Sequence, residues 1–337
     1  MKAMGRTPRS TSFALSLVFA LPLLALGCGE AEPADSHSQG PAQPVQGSPR
    51  LAVARLSEAE TEVVIARPGT RRVRVVVGRR LKGSTRPDPS PRVSWSPDGG
   101  QLAFSNSSSR GNDFKSDIYV VDVRTLEQRR VTTWRDSTEP VWSSDGKTIV
   151  FTRIRGSTYN ASGSLWAIPV DGGDARQLTP SVRGRIDAPG SFSPTGSSIA
   201  ITRSLLARSA IQPAYSPSGT RLAFSSDRDR NGSLTYGDTT EPATELYVSA
   251  ADGTRPRRLT RTRDVDEYAP SWSPSGETLA FQRGTVIGNA EGYVIRQVNA
   301  DGTCARNLLA DPKLDTWYTH PAWRPLRSRT GDTRIAC

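Results

Sequence analysis

Short apolar segments separated by turn residues recur along most of the chain, between residues 50 and 326. Typical examples are Leu102-Ala103-Phe104, Leu222-Ala223-Phe224 and Leu279-Ala280-Phe281, each of which closely follows a Pro-x-Gly turn. Short runs rich in branched and aromatic side chains, bounded by Gly, Pro, Ser and Asp, are typical of β-strands. The pattern therefore predicts an all-β domain built from many short hairpins.

The hairpins belong to an internal repeat. Most copies begin with a proline and an aromatic residue, continue with Ser-Pro-x-Gly or a close variant, and then enter an apolar strand. In such a turn proline sets φ at the first corner, and glycine accepts a positive φ at a later one. We expect the aromatic residues to anchor neighbouring repeats against each other. The six anchoring aromatic residues are Trp95, Trp142, Phe192, Tyr215, Trp272 and Trp323.

The spacing of these aromatic residues predicts a propeller. Successive spacings are 47, 50, 23, 57 and 51 residues, and about 40–50 residues per repeat suits four-stranded propeller blades. The 23-residue interval is too short for four strands, so the third repeat should lack its outer pair, with residues 202–212 only a connection. The sixth copy ends after its inner strand, and residues 50–77 can supply the other three strands. The sequence thus predicts a six-bladed β-propeller with a truncated third blade and a last blade closed by N-terminal strands.

The repeat resembles the TolB-like β-propeller family, whose WD-like repeats follow a pattern close to WSPDG, LAF, DIYV and LT. Matching segments here include Trp95-Ser96-Pro97-Asp98-Gly99, Asp117-Ile118-Tyr119-Val120 and Arg258-Leu259-Thr260. The resemblance covers about residues 50–326 and implies the propeller fold. It implies much less about function, because similar blades occur in translocation-complex proteins, in the gate domains of oligopeptidases and in lipoproteins.

The N-terminus has the layout of an export signal. A 14-residue apolar run from Phe13 to Leu26 follows three basic residues, and it is shorter than the roughly 20 residues that cross a bilayer. Ala25-Leu26-Gly27-Cys28 resembles the lipobox of bacterial lipoproteins, which implies cleavage before Cys28 and lipid attachment to it. The alternative is an ordinary cleaved signal with an incidental Cys28. Four regions are expected: a signal peptide at 1–27, a disordered tether at 28–49, the propeller at 50–326 and a tail at 327–337.

One loop carries oxygen ligands at a spacing typical of calcium sites. Residues 227–238, DRDRNGSLTYGD, resemble an EF-hand loop. The loop departs from that pattern at its last position, which usually holds Glu, and no flanking helices are predicted. The same residues also suit an ordinary turn of a TolB-like blade. The resemblance implies calcium ligands at Asp227, Asp229, Asn231, Ser233 (through its carbonyl) and Asp238.

The connections that enter the inner strands are expected to surround the mouth of the central channel. Their mixed charge and aromatic rings would suit a protein segment or a polar ligand. The alternative is that these connections are polar only because they are exposed. The candidate mouth residues are Asp136, Glu139, Arg185, Asp187, Asp266, Glu267, Tyr268, Tyr318 and His320.

Little in the chain points to catalysis. It holds two histidines, His37 in the expected tether and His320, and no G-x-S-x-G segment. A serine hydrolase or multi-His zinc enzyme is therefore excluded, whereas a carboxylate-based glycosidase or lyase is not.

The formal net charge of +11 comes from dispersed arginines, so no nucleic-acid partner is expected. Cys304 and Cys337 are expected to form a disulfide if the chain is exported, the alternative being two free thiols.

The favoured interpretation is a monomeric, non-catalytic scaffold at the cell envelope. A lipid on Cys28 would hold it to a membrane, at the periplasmic face or in the outer membrane, and the propeller would present a face to an envelope protein. One alternative is a carbohydrate, small-ligand or lyase-type site in the channel. The other is a structural lipoprotein stabilised by calcium, which is the cofactor we expect if one binds.

Overall fold

The computed structural model describes the predicted propeller and one segment before it. The described residues are 17–22, 50–57, 60–68, 70, 73–80, 92–110, 113–156, 161–204, 212–228, 233–236, 239–263, 265–287, 290–310 and 316–325. All the regular elements within these ranges are β-strands. In this described part of the chain, no helix is long and apolar enough to cross a membrane.

The strands follow one another at short intervals, as the turn pattern predicts. The first twelve are β1 (Leu17–Pro22), β2 (Leu51–Ser57), β3 (Glu60–Ala66), β4 (Val73–Arg80), β5 (Val93–Trp95), β6 (Gln101–Arg110), β7 (Asp113–Asp122), β8 (Gln128–Arg130), β9 (Ser137–Trp142), β10 (Thr148–Arg155), β11 (Ser162–Pro169) and β12 (Arg176–Gln177). The others are β13 (Ile186–Phe192), β14 (Ser198–Ser204), β15 (Ala214–Tyr215), β16 (Arg221–Ser226), β17 (Ser233–Tyr236), β18 (Thr239–Pro242), β19 (Glu245–Ala250), β20 (Arg257–Arg258), β21 (Glu267–Trp272), β22 (Thr278–Ile287), β23 (Ala290–Asn299), β24 (Arg306–Leu309) and β25 (Thr316–Trp323).

The strands form a propeller of five blades. Four blades are four-stranded sheets, with the orders β5-β6-β7-β8, β15-β16-β19-β20, β21-β22-β23-β24 and β25-β2-β3-β4. The fifth is a seven-stranded sheet that contains β9 to β14 together with β1. The all-β propeller is thus confirmed, but the predicted number of six blades is wrong.

The third repeat explains the difference. Its two strands, β13 and β14, do not form a blade of their own, because β13 pairs in parallel with β11 between Ile186 and Gly163. A Cβ on Gly163 would lie 2.7 Å from Ile186 Cγ2, so a glycine lets the two strands meet. At the other edge β1 pairs antiparallel with β14 over six residue pairs. Residues 17–22 lie inside the expected signal peptide, and residues 205–211 of the expected connection lie outside the described residues.

The last blade joins both ends of the folded chain. β25 pairs with β2, with Leu51 opposite Trp323, and β3 and β4 complete the sheet. Trp95 of the next blade donates its indole N–H to Ala322 O at 2.9 Å. Arg324 donates to Gly99 O at 2.8 Å. These contacts join the last blade to the first and close the ring.

Most anchoring aromatic residues pack between blades, as predicted. Trp95 lies in one apolar cluster with Ala52 and Val63 of the last blade and Leu102 of its own. The anchoring tryptophans are 6–7% exposed, whereas Phe192 and Tyr215 of the shortened region are only partly buried. Hydrogen bonds to the serine before the previous anchor add to this packing. The backbone donors and Ser Oγ acceptors are Trp142 to Ser94, Tyr215 to Ser191 and Trp323 to Ser271.

Candidate functional site

One position of the repeat directs side chains to the central channel. It lies three residues before each anchoring aromatic residue. The backbone at Glu139, Ala269 and His320 adopts left-handed φ values of 54°, 50° and 49°, and the strand ladder shifts register there. Such a bulge bends the strand and re-aims a side chain. The six residues at this position, which we call the channel ring, are Arg92, Glu139, Pro189, Gln212, Ala269 and His320.

The inner strands enclose a cavity of about 320 Å³ along the channel. Residues from all six repeats contribute to its wall, including Arg92, Gln212, Ala269 and His320 of the channel ring. The described lining contains no Asp or Glu. The cavity is therefore polar, with its formal charge supplied by arginine.

Arg92 crosses the channel from the first repeat to the third. Its two terminal nitrogens donate to Pro189 O at 2.7 Å and to Gly190 O at 3.3 Å. Glu139 lies 3.9 Å from the same guanidinium, and the two side chains are 14% and 28% exposed. Burial raises the pKa of Glu139 and lowers that of Arg92, and the attraction between them opposes both shifts only in part. The nearest acid to this buried guanidinium therefore lies at 3.9 Å, beyond hydrogen-bond distance.

His320 and Gln212 complete the polar part of the channel ring. Burial, and secondly the charge of Arg92, lower the pKa of His320 to about 3, so its imidazole is neutral at physiological pH. Among the described residues, the buried Gln212 Oε1 has no hydrogen-bond partner. A buried acceptor without a partner costs about 1–3 kcal/mol, so a donor that enters the channel would gain by pairing with it.

Three of the expected mouth residues instead form ion pairs between adjacent strands. Asp136 accepts two hydrogen bonds of 2.8 Å from Arg153 of β10. Asp187 is fully buried and accepts from Arg203 of β14 at 2.8 and 3.0 Å, with Arg185 at 3.5 Å. Because both acids are held by arginine forks, they stabilise the inner hairpins.

The remaining expected mouth residues lie near the starts of β21 and β25. Asp266 accepts hydrogen bonds from Tyr268 Oη at 2.5 Å and from Thr244 N at 2.9 Å. Glu267 is 1% exposed, and Tyr318 packs against an apolar cluster of the last blade. Glu139 and His320 are therefore the two predicted residues that the structure places in the channel ring. Sequence reasoning missed Arg92 and Gln212, although their common offset from the anchoring aromatic residues could have identified them.

The expected calcium loop and disulfide are described only in part. Asp227 follows β16 and is partly buried, and Ser233 begins β17, which forms a hairpin with β18 between β16 and β19. Asp229, Asn231 and Asp238 lie outside the described residues, so calcium binding stays a prediction. Cys304 is disulfide-bonded. Cys337 and Cys28 lie outside the described residues, so the pairing with Cys337 and the lipidation of Cys28 stay predictions.

Comparisons with known proteins agree with this fold. A family model described as the TolB beta propeller domain matches residues 43–211, half of the chain. The fold is similar to that of TolB from Acinetobacter baumannii, with a TM-score of 0.61 at 18% identity, covering 84% of this chain and 68% of that one. It is also similar to a putative TolB from Agrobacterium tumefaciens, with a TM-score of 0.51 at 17% identity, covering 83% and 100%.

A longer relative matches in sequence. The chain is 30% identical over 197 residues to the protein named "Uncharacterized peptidase YuxL" of Bacillus subtilis, a match that covers 56% of this chain. The chain spans only 28% of the length of that relative. The match of the family model to half of the sequence, on a structure whose sheets form a propeller, shows that this chain belongs to the TolB β-propeller domain family.

Proposed function

We propose that this protein is an exported, lipid-anchored scaffold of the cell envelope, which binds a segment of another protein at the channel ring. The observation that carries the proposal is the position of Arg92. Its guanidinium reaches across the channel, remains 14% exposed and has its nearest acid, Glu139, at 3.9 Å, beyond hydrogen-bond distance. The cavity behind it, of about 320 Å³, is large enough for a few side chains but not for a folded domain.

The chemistry of the ring favours a partner segment with an acidic side chain or terminus. Arg92 donates from each terminal nitrogen to a backbone carbonyl, and its remaining N–H groups can bind a carboxylate. Gln212 Oε1 can accept from a backbone N–H of the same segment. His320, held neutral, adds no charge that would repel or attract it. We infer that an extended segment enters the channel with its carboxylate against Arg92.

A carbohydrate or lyase-type site in the channel is the second candidate, and the lining is a poor match for it. Glycoside hydrolysis commonly uses two carboxylates on either side of the bond that is cleaved, whereas the described lining of the cavity holds none and the channel ring holds one, Glu139, beside Arg92. The named peptidase relative is more than three times as long as the part that this chain matches. Its name therefore lends little support to a peptidase activity here.

Crosslinking in the native envelope tests the scaffold proposal. The full-length protein is crosslinked in cells, purified under denaturing conditions and compared with Arg92→Gln and Arg92→Lys. Both variants should recover at least tenfold less of a specific partner, because neither can span the channel with a bidentate guanidinium. Arg129→Gln, at an exposed arginine of β8, is the matched control and should recover the partner in full. Equal recovery by wild type and both Arg92 variants would refute the channel as the binding site.

Metabolic labelling tests the anchor separately. Cells that express the wild type or Cys28→Ser are fed an alkyne-tagged fatty acid, and the protein is examined for the label. The label should be present in the wild type and absent from Cys28→Ser, which should also move to the soluble fraction. A wild type without label, or a labelled Cys28→Ser variant, would contradict lipid attachment at this residue.

A further inference from the structure

A second cavity, of about 360 Å³, lies between the β15-β16-β19-β20 and β21-β22-β23-β24 blades. We call it the interblade cleft. Its apolar part is formed by Leu259, Phe281 and Val298. Its polar part is formed by Thr262, Glu267, Arg283 and Arg296. It shares no lining residue with the channel cavity, so it is a separate feature of the molecule.

Two arginines in the cleft, Arg283 and Arg296, have N–H groups without an acceptor in the described structure. Arg283 has one ion pair, to Glu267 at 4.0 Å, and makes no hydrogen bond within the described structure. Arg296 donates from one terminal nitrogen to Ala305 O at 3.2 Å, while its Nε is buried and has no partner in the part of the chain that the structure describes. Burial, and secondly the charge of Arg283, lower the pKa of Arg296. The two guanidinium groups therefore repel each other, and the charge of Glu267 offsets this repulsion only in part, so that a second anion between them would relieve the remainder.

The other arginines of the cleft are already engaged or lie at its rim. Arg257 donates to Asp301 O and Ala300 O at 2.7 and 2.9 Å. Arg258 pairs with the buried Glu245. Arg261 lines the edge and is exposed. An incoming anion is therefore directed to Arg283 and Arg296.

One buried carboxyl in the same cleft has an oxygen atom to satisfy. Glu267 is 1% exposed, and its Oε2 has no hydrogen-bond partner of good geometry among the described residues. Thr262 Oγ1 is also buried and lies close enough to interact with this carboxyl. Because an unpaired buried group costs about 1–3 kcal/mol, a folded protein commonly retains such a group only where something else satisfies it. A ligand with a hydroxyl group would satisfy Glu267.

We propose that the interblade cleft binds a small hydroxycarboxylate about the size of an acidic monosaccharide. Its carboxylate would lie between Arg283 and Arg296, and a hydroxyl group of the ligand would pair with Glu267. Arginine forks match the planar geometry of a carboxylate. The cavity volume lies at the lower end of the roughly 300–1,000 Å³ that small-molecule sites occupy.

Isothermal titration calorimetry of the full-length protein tests this site, with D-glucuronate as the probe. D-Glucose is the matched neutral ligand, because it has the same ring with a CH₂OH group in place of the carboxylate. Wild type should show saturable heat with glucuronate and none with glucose. Arg296→Gln and Arg283→Gln should each weaken glucuronate binding by about 10- to 100-fold, the range for loss of a hydrogen bond to a charged group. Arg261→Gln, at the exposed rim, should change the Kd less than twofold.

Three results would overturn the proposal: no saturable glucuronate binding to wild type, equal binding of glucose, or a Kd within twofold of wild type in both inner arginine variants. Melting curves establish that each variant is folded before titration. If one inner variant does not fold, the other carries the test alone. These outcomes are independent of the crosslinking result at the channel, because the two cavities share no residue.

Discussion

Replacing Glu267 with Gln should change how the stability of this protein depends on pH. Glu267 begins β21, is 1% exposed and has its ion-pair partner, Arg283, at 4.0 Å. Burial raises the pKa of Glu267 from an ordinary 4.5 to about 7, opposed by a hydrogen bond from Thr260 and the charge of Arg283. Glutamine keeps the shape of the side chain but carries no proton that titrates in this range.

The sign and size of the effect follow from the two pKa values. Between pH 4.5 and about 7 the folded chain holds a proton on Glu267 that the unfolded chain has released. The free energy of unfolding therefore falls as the pH rises through this window. A pKa change from 4.5 to about 7 corresponds to about 3 kcal/mol, at about 1.4 kcal/mol for each pH unit. Relative to wild type, Glu267→Gln should gain about this much stability between pH 4 and pH 8.

Urea unfolding followed by tryptophan fluorescence at pH 4, 5, 6, 7 and 8 measures this difference. The quantity to plot is the free energy of unfolding of the variant minus that of wild type, because other titrating groups then cancel. Glu277→Gln, at an exposed glutamate of the same blade, is the control and should give a flat plot. A flat plot for Glu267→Gln, or one that falls with pH, would refute the reasoning.

Three further predictions use the same kinds of measurement. His320→Asn should gain stability relative to wild type as the pH falls from 6.5 towards 3, because the unfolded histidine takes up a proton there while burial keeps the folded one neutral; a constant difference would contradict this. Gly190→Ala should lower the free energy of unfolding by about 1–3 kcal/mol, since its Cβ would lie 2.1 Å from Pro213 O, whereas Gly78→Ala, with its nearest contact at 3.7 Å, should change it little; equal effects would count against the tight packing of β13 on the fourth repeat. EGTA should lower the Tm of wild type by several degrees but not that of Asp227→Asn if residues 227–238 bind calcium, and an unchanged wild-type Tm would eliminate the metal.

The predicted number of six blades is wrong because an anchoring aromatic residue does not always begin a separate blade. Phe192 does anchor an inner strand, β13, and the short interval to Tyr215 correctly predicts that outer strands are missing. The pattern contained no sign that β13 would pair with β11. That pairing depends on a close contact between Gly163 and Ile186, where the absence of a side chain matters more than any propensity.

The candidate mouth residues show why charge in a connection is a weak guide to a site. Asp187 and Asp136 look exposed in a linear sequence, yet each is held by an arginine of the following strand. Asp187 and Arg203 stand directly opposite in the ladder, so aligning the hairpin register from its turn would have predicted their pairing. Arg92, in contrast, reaches the channel but was not predicted, because it lies before a strand that carries no acidic cluster.

The sequence by itself determined the hairpins, the propeller class and the joining of the two chain ends in one blade. Those features follow from turn chemistry and from apolar alternation, which act over a few residues and repeat often enough to be recognised. Only the tertiary structure decided which acids are neutralised, which side chains reach the channel, and that Arg296 Nε and Glu267 Oε2 in the interblade cleft have no hydrogen-bond partner among the described residues. These outcomes depend on contacts between distant segments, such as the hydrogen bond between Trp95 and Ala322, which are 227 positions apart. A local sequence pattern does not specify which strand will be the neighbour of another.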